Sequence, residues 1–207
     1  MYIGGGLANK MFQYAFSLAI KKKGYDVVYD TITFKTEFVH DRVELDDIFP
    51  NVNMNKISKS DYWAAGKQNK LARLVKRISP KYITEHAYLF NDRVWKQIKP
   101  TCYLESSWQD ENYFVSAADE VRQAFVFPPF ENKRNVEVAK AMASSNSVAI
   151  HIRKGDGYGT WNIFSNTCPK EYYDKALCYI KEHVKNPKFF IFTDSPDVVK
   201  EYLDIED

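Results

Sequence analysis

The chain has 207 residues, of which 45% are hydrophobic and 15% aromatic, a composition typical of one or two globular domains. A formal net charge of +2 gives no reason to expect a nucleic-acid partner, and the sequence contains neither a long apolar run nor a secretory signal pattern. The three cysteines are odd in number and form no C-x-x-C pair, which argues against a disulfide framework or a zinc site and predicts a cytoplasmic location.

The first 30 residues have the pattern of a strand, a glycine-rich turn, a helix and a second strand. Residues 2–3 lead into three glycines at 4–6. From Lys10 the apolar residues recur at helical spacing, until three lysines and Gly24 end the pattern. A strand is predicted over 25–30. This order begins a βαβ unit and predicts a parallel sheet.

The middle of the chain carries weaker patterns. Residues 71–78 have the spacing of an amphipathic helix with a basic polar face. A solvated face is the favoured interpretation, and peripheral contact with the inner face of a membrane stays an alternative. Residues 103–108 have the pattern of a strand. Ser116 followed by Asp119 resembles a capping box for a helix that runs to Ala124.

A new series of elements begins after a helical pattern at 136–143 and a polar stretch. We place the domain boundary there, which gives domains of residues 1–145 and 146–207. In the second domain we predict a strand at 148–153, a helix at 169–183, a strand at 188–193 and a helix start near Pro196. Cys178 falls on the first of these helices and is assigned to the core. Two strands are too few for a doubly wound sheet, so this domain is either very small or incomplete, and its uncovered sheet offers a surface for self-association.

A charged cluster ends the first strand of the second domain: His151, Arg153, Lys154, Gly155 and Asp156. The carboxyl ends of parallel strands border the ligand crevice, and alternate side chains of a strand point the same way. His151 and Arg153 are therefore predicted to face a crevice together. Since a guanidinium can donate two hydrogen bonds to a phosphate, we interpret the cluster as a site for the phosphates of an activated sugar. The alternative is a strand that ends in solvated charges.

The glycine-rich turn supports three interpretations. Gly4, Gly6 and Asn9 match the dinucleotide-binding fingerprint except at its last position, and Asp30 stands where a ribose-binding acid would be. This keeps a dinucleotide-dependent oxidoreductase as a distant alternative. The others are a plain tight turn and a loop whose N–H groups bind sugar hydroxyls or phosphate. The sequence has no D-x-D, P-loop or G-x-S-x-G motif, and its histidines lack ligand spacing, so no metal site is predicted.

Five segments, taken in order, resemble the α-1,2-fucosyltransferase family, glycosyltransferase family 11. Residues 5–16, GGLANKMFQYAF, resemble the amino-terminal signature of that family. Residues 148–156, VAIHIRKGD, resemble its H-x-R-R-x-D donor motif. The supporting matches are residues 108–114, 168–173 and 189–194.

The resemblance implies an α/β fold of the GT-B type, with an N-terminal Rossmann-like domain and an incomplete second Rossmann-like domain that binds the donor. It implies an enzyme that transfers L-fucose from GDP-β-L-fucose to the 2-hydroxyl of a galactoside. The transfer would invert the anomeric centre without a metal or other cofactor. The partners would be a nucleotide-sugar donor and a galactoside or glycan acceptor.

The resemblance also assigns roles to residues. Arg153 would hold the donor β-phosphate, the electrostatic role that a metal plays elsewhere. His151, Lys154, Gly155 and Asp156 would lie beside it. Asp156 is a candidate general base, and a role in orienting Arg153 is the alternative. The loop with Gly5, Gly6 and Asn9 would line the cleft towards the acceptor.

Three positions depart from the family pattern: Ala8, Lys10 and Lys154 stand for the usual Gly, Gln and second Arg. Lysine keeps the charge but loses the guanidinium fork, and a positive φ at Ala8 would strain the turn. The family's serine- and tryptophan-rich segment near N-S-x-F-S-W-W does not occur here, so we expect a chain truncated at its C-terminus. A non-catalytic binding or structural fragment is therefore the second hypothesis.

Overall fold

The structure of the protein is a computed structural model that describes residues 1–32, 43–58, 81–85, 89–153 and 168–203. The chain divides into two compact units, Met1–Pro128 and Pro129–Asp207. Each unit combines helices with short parallel strand pairings, so the predicted α/β class is confirmed. The Rossmann-like and GT-B assignments and the predicted domain limits stay predictions.

Five short extended segments of the first unit are joined by backbone hydrogen bonds into what we call the strip. Strand β1 (Tyr82–Ile83) pairs in parallel with β2 (Tyr103–Leu104). The Tyr2 amide donates to the Leu104 carbonyl at 2.9 Å. Two parallel bridges extend the strip on the other side of residues 1–3: Tyr2 with Asp30, and Tyr29 with Lys56. The order across the strip is therefore residues 55–57, 28–30, 1–3, 103–105 and 81–83.

Helix α1 (Leu7–Lys22) supplies a large part of the core of the first unit. Phe16 is fully buried, and the centroid of its ring lies 4.8 Å from that of Trp108 and 5.1 Å from that of Tyr113. The helix stops as predicted, with lysines in its last turn and Gly24 at φ +90° just beyond it. Ala8 lies in the first turn and has no positive φ, so the turn carries no strain there.

Short helices complete the described part of the first unit: α2 (Leu45–Ile48), α3 (Asp92–Gln97) and α4 (Ala118–Ala124). The helix predicted to run to Ala124 is confirmed, but its predicted capping box is wrong. A 3₁₀ turn over Val115–Ala117 precedes α4, so the residue at the N-cap is Ala117, which has no side-chain acceptor. The helix predicted at 71–78 lies outside the described residues.

The second unit follows the predicted element order closely. It contains α5 (Lys133–Ala143), β3 (Asn146–Ile152), α6 (Lys170–His183), β4 (Pro187–Thr193) and α7 (Val199–Tyr202). β3 and β4 pair in parallel, with Asn146 opposite Pro187 and Ile152 opposite Thr193. Buried Ile150 and Ile152 of β3 belong to the same apolar cluster as Tyr173 of α6.

Two smaller findings concern the helices. Cys178 is exposed on α6, so its assignment to the core is wrong. Across the ranges that the structure describes, no helix is both long enough and apolar enough to cross a membrane.

Candidate active site

In the first unit, segments 1–3 and 103–105 are neighbours in the middle of the strip. Segments 28–30 and 55–57 lie beyond residues 1–3, and segment 81–83 lies beyond residues 103–105. In open α/β sheets, the crevice that binds ligands lies outside the carboxyl ends of the strands. The backbone that leaves the two central segments here is residues 4–6 and residues 106–109.

The buried side chain of Gln13 joins these two loops. Its Oε1 accepts a hydrogen bond from the Gly4 amide at 2.8 Å, and its Nε2 donates to the Ser106 carbonyl at 3.1 Å. One side-chain amide thus satisfies a backbone donor of one loop and a backbone acceptor of the other. Because Gln13 is only 2% exposed, the two loops are fixed to each other from inside the unit.

Gly5 and Gly6 differ in whether their backbone and surroundings would accept a larger residue. Gly5 has φ +85°, and a Cβ there would lie 2.7 Å from Nδ2 of Asn9. Only glycine fits both the backbone and the space. At Gly6, by contrast, φ is −64° and a Cβ would meet no atom within 4 Å. Asn9 therefore lies against Gly5, and its Oδ1 accepts a hydrogen bond from Nε2 of Gln109.

Trp108 turns the chain immediately before Gln109. Its φ is +53°, in the left-handed region that a bulky residue rarely adopts. The side chain is 2% exposed, and its ring packs edge-on against Tyr113 at a centroid distance of 5.3 Å. Within the described residues, its indole N–H is buried without an acceptor. Strained backbone and unsatisfied buried donors each cost about 1–3 kcal/mol and are concentrated at functional sites.

Two charged residues of the first unit are buried beside this region. Lys10 is 4% exposed, and its Nζ donates to the Val43 carbonyl at 2.7 Å. Asp30 accepts from the Tyr103 hydroxyl at 2.6 Å and from the Ile32 amide at 3.2 Å. These contacts fix the orientation of the buried Asp30 carboxylate, so the role of Asp30 that they support is a structural one.

In the second unit, Arg153 follows β3 directly and Asp194 follows β4 directly. Since Ile152 lies opposite Thr193, the register makes the two residues neighbours. Nε of Arg153 lies 3.9 Å from Oδ2 of Asp194, and the two side chains are 52% and 33% exposed. An ion pair this long and this exposed contributes little stability. Its effect is to place a guanidinium at the carboxyl end of the pair of strands.

His151 is exposed on β3, whereas Ile150 and Ile152 on either side are buried, as the alternation of a strand requires. The hydroxyl of Tyr173 on α6 donates to the His151 carbonyl at 3.2 Å, and burial raises the pKa of Tyr173. This contact fixes the backbone just before Arg153. Lys154, Gly155 and Asp156 lie outside the described residues.

Polar groups also mark the end of β4. The Ser195 amide donates to Oγ1 of Thr193 at 2.9 Å, and the Ser195 hydroxyl donates to Oδ1 of Asp194 at 3.1 Å. Asp194 was not predicted as a site residue, although a polar residue directly after an apolar strand is the signal that identified Arg153. Gln13 and Gln109 were also left without a role. In the described part of the chain, no group of three or more His, Cys, Asp or Glu side chains could hold a metal ion.

Comparison with known proteins agrees with the resemblance seen in the sequence. The chain is similar to the alpha-1,2-colitosyltransferase of Escherichia coli, with 27% identity over 97% of this chain and 70% of that protein. It is also similar to the O-antigen biosynthesis glycosyltransferase WbnK of Escherichia coli, with 23% identity over 93% of this chain and 71% of the relative. No solved structure matches. Residues 2–207 match Glycosyl transferase family 11, and the chain therefore belongs to that family.

Proposed function

We propose that the protein transfers L-fucose from GDP-β-L-fucose to the 2-hydroxyl of a galactoside, with inversion at the anomeric carbon. The observation that carries this proposal is the position of Arg153. In a chain of glycosyl transferase family 11, it places a guanidinium at the carboxyl end of β3, beside Asp194 at the end of β4. The similarity of the chain to a colitosyltransferase favours colitose as the second candidate for the donor sugar.

The reaction requires three tasks of the protein. The acceptor hydroxyl attacks the anomeric carbon as the bond from that carbon to the β-phosphate oxygen breaks, and the bonding electron pair leaves with the diphosphate. Arg153 stabilises the charge that develops on this leaving group, because its planar fork can donate two hydrogen bonds to phosphate oxygens. His151, Lys154 and Gly155 complete the proposed donor site.

The hydroxyl proton must pass to a base, and Asp156 is the proposed acceptor of that proton. On the acceptor side we propose the loop with Gly5, Gly6 and Asn9. This is supported by the course of the loop, which leaves the carboxyl end of segment 1–3, the end of a strand at which open α/β sheets bind ligands. A nucleotide-sugar donor and a glycan acceptor are the partners that this family assignment implies.

The test uses the full chain, GDP-fucose and GDP-colitose as donors, and a β-galactoside as acceptor. We expect the wild type to bind GDP in calorimetry and to form a disaccharide linked at the 2-hydroxyl, identified by NMR. The Arg153→Ala variant should lose transfer and most GDP affinity. Arg134→Ala is the matched control, since Arg134 lies exposed on α5 of the same unit.

The outcomes separate the hypotheses. Normal transfer by Arg153→Ala would overturn the role assigned to Arg153. A wild-type chain that binds neither GDP nor either sugar nucleotide would overturn the function itself and support a non-catalytic fragment. Transfer from GDP-colitose alone would replace fucose by colitose as the donor sugar.

A further inference from the structure

We propose that Asn9 and Gln109 together form a hydroxyl-binding subsite for the acceptor sugar in the first unit. The inference rests on the proposed glycosyl transfer and specifies its acceptor side. It adds Gln109, a residue outside the amino-terminal signature, and assigns the two side-chain amides a joint task.

The two amides are complementary to a sugar hydroxyl. Oδ1 of Asn9 accepts from Nε2 of Gln109, which leaves the Asn9 amino group as a donor and Oε1 of Gln109 as an acceptor. A hydroxyl both donates and accepts, so it can bond to both groups at once, and two adjacent ring hydroxyls can take one group each. Both side chains are partly exposed, as groups that meet a ligand from solvent must be.

The position of the pair is that of a binding site. Asn9 follows the loop that leaves the carboxyl end of segment 1–3, and Gln109 follows the carboxyl end of the neighbouring segment 103–105. Open α/β sheets bind ligands outside this end of their strands. The space above Gly6 is open, since a Cβ there would meet nothing within 4 Å.

Three buried or strained features hold the pair in place. Gly5 provides the space that the Asn9 amide occupies, Gln13 ties the two loops together, and Trp108 turns the chain into Gln109 through a left-handed backbone. The left-handed backbone of Trp108 carries a conformational cost, and its buried indole N–H has no partner among the residues that the structure describes. Preorganisation of this kind reduces the entropy lost when a ligand binds.

The chemistry of the pair selects a neutral ligand. Both side chains are uncharged amides, so they suit hydroxyl groups better than the charged oxygens of a diphosphate, which a guanidinium binds more strongly. The acceptor sugar is the neutral, hydroxyl-rich substrate of the proposed reaction. We therefore assign the subsite to the acceptor and not to the donor.

The test compares three variants of the full chain. Asn9→Asp keeps the oxygen that accepts from Gln109 but loses the amino group that would donate to the sugar. Gln109→Ala removes both the hydrogen bond to Asn9 and the oxygen that would accept from the sugar. Gln97→Ala is the matched control, because Gln97 is exposed at the end of α3 in the same unit.

We expect Asn9→Asp and Gln109→Ala each to raise the KM for the galactoside about tenfold, the loss that corresponds to about one hydrogen bond. The affinity for GDP, measured by calorimetry, should stay that of the wild type. Unchanged acceptor KM in Asn9→Asp, with a melting temperature equal to that of the wild type, would overturn the subsite.

A donor-free measurement separates failure of the subsite from failure of the proposed function. Saturation-transfer NMR detects binding of a free galactoside without any transfer. If the wild type binds the galactoside and Asn9→Asp does not, the subsite is supported even if the protein transfers sugar from neither of the two sugar nucleotides. If the wild type transfers fucose but Asn9→Asp shows the same galactoside affinity, the function stands and the subsite is wrong.

Discussion

The hydroxyl of Tyr103 donates a 2.6 Å hydrogen bond to Oδ2 of Asp30, which connects the two segments that flank residues 1–3 in the strip. Asp30 is only 2% exposed. A carboxylate that is buried must be hydrogen-bonded, because its desolvation is otherwise too costly. The contact therefore ties the late part of the first unit to the early part.

Replacement of Tyr103 by Phe keeps the ring and removes this donor. We expect Tyr103→Phe to lower the free energy of unfolding by about 1–3 kcal/mol, since the buried carboxylate loses a partner. Urea unfolding followed by fluorescence measures the change. Tyr25→Phe in the same unit is the control and should shift the free energy by less than about 0.5 kcal/mol. Equal midpoints for Tyr103→Phe and the wild type would contradict the prediction.

Tyr29 should make stability depend on alkaline pH. Burial raises the pKa of Tyr29 to about 12, while an unfolded tyrosine titrates near 10. The folded state then keeps its proton when the unfolded state has lost it, so the stability present below about pH 10 falls as the pH rises through about 12.

Tyr29→Phe isolates that effect. The variant loses the 2.8 Å hydrogen bond to Ser17, so it should be about 1 kcal/mol less stable near neutral pH. Residue 29 no longer titrates in the variant. The difference in free energy of unfolding between the wild type and the variant should therefore shrink between about pH 10 and 12. Urea unfolding at several pH values gives the comparison, and a deficit that grows with pH would refute the assignment.

Asp110 should make the stability of the protein depend on pH under acidic conditions. Hydrogen bonds from the amides of Asn112 and Phe90 lower the pKa of its carboxyl. The stability from these bonds is therefore complete above the unfolded pKa of about 3.9 and is lost as the pH falls through the lower folded pKa. Asp110→Asn should be destabilised at neutral pH and should approach the wild type in acid. A pH-independent difference in urea midpoint would argue against this cause.

Gly5 and Gly6 offer a matched pair of substitutions. Gly5→Ala forces a positive φ on alanine and a 2.7 Å contact with the Asn9 side chain, so we expect a loss of at least about 1–2 kcal/mol. Gly6→Ala should change stability by less than about 1 kcal/mol, because its backbone and surroundings accept a Cβ. Thermal unfolding of both variants measures this, and equal melting temperatures would show that Gly5 is not constrained.

Asp194 should act through Arg153. We expect Asp194→Asn to weaken GDP binding about two- to fivefold, since an exposed pair at this distance is worth little energy. Asp194→Glu should restore part of the affinity, which a purely structural defect would not show. Asp197→Asn, exposed in the following 3₁₀ turn, is the control. Weaker GDP binding in the control alone would overturn the role of Asp194.

The fold was predictable in the segments where a single hydrophobic pattern extends over a whole helix or strand. The lysines and Gly24 identified the end of α1, and the elements of the second unit followed from apolar runs of the right length. The strand predicted at 103–108 was too long, since β2 ends at Leu104. Contacts with residues far away in the chain determine the conformation of residues 106–108. The side chain of Gln13 donates a hydrogen bond to the Ser106 carbonyl, and Trp108 is buried in a left-handed conformation.

The site was predictable where it depends on strand ends. The rule that ligands meet the carboxyl ends of parallel strands singled out Arg153, and applied to β4 it would also have singled out Asp194. The Asn9–Gln109 contact had no such signal, because the two residues are 100 positions apart in the chain. Their loops are brought together by the pairing of residues 1–3 with residues 103–105 and by the side chain of Gln13.

The central place of residues 1–3 in the strip has a consequence for biosynthesis. These residues leave the ribosome about a hundred residues before β2, yet the Tyr2–Leu104 hydrogen bond forms only after β2 has been synthesised. Until then one side of a central segment exposes unpaired backbone groups, which invites pairing with other chains. We therefore expect nascent chains that stop before β2 to need chaperones and to aggregate, and chains that extend past it to become resistant to proteases in one step.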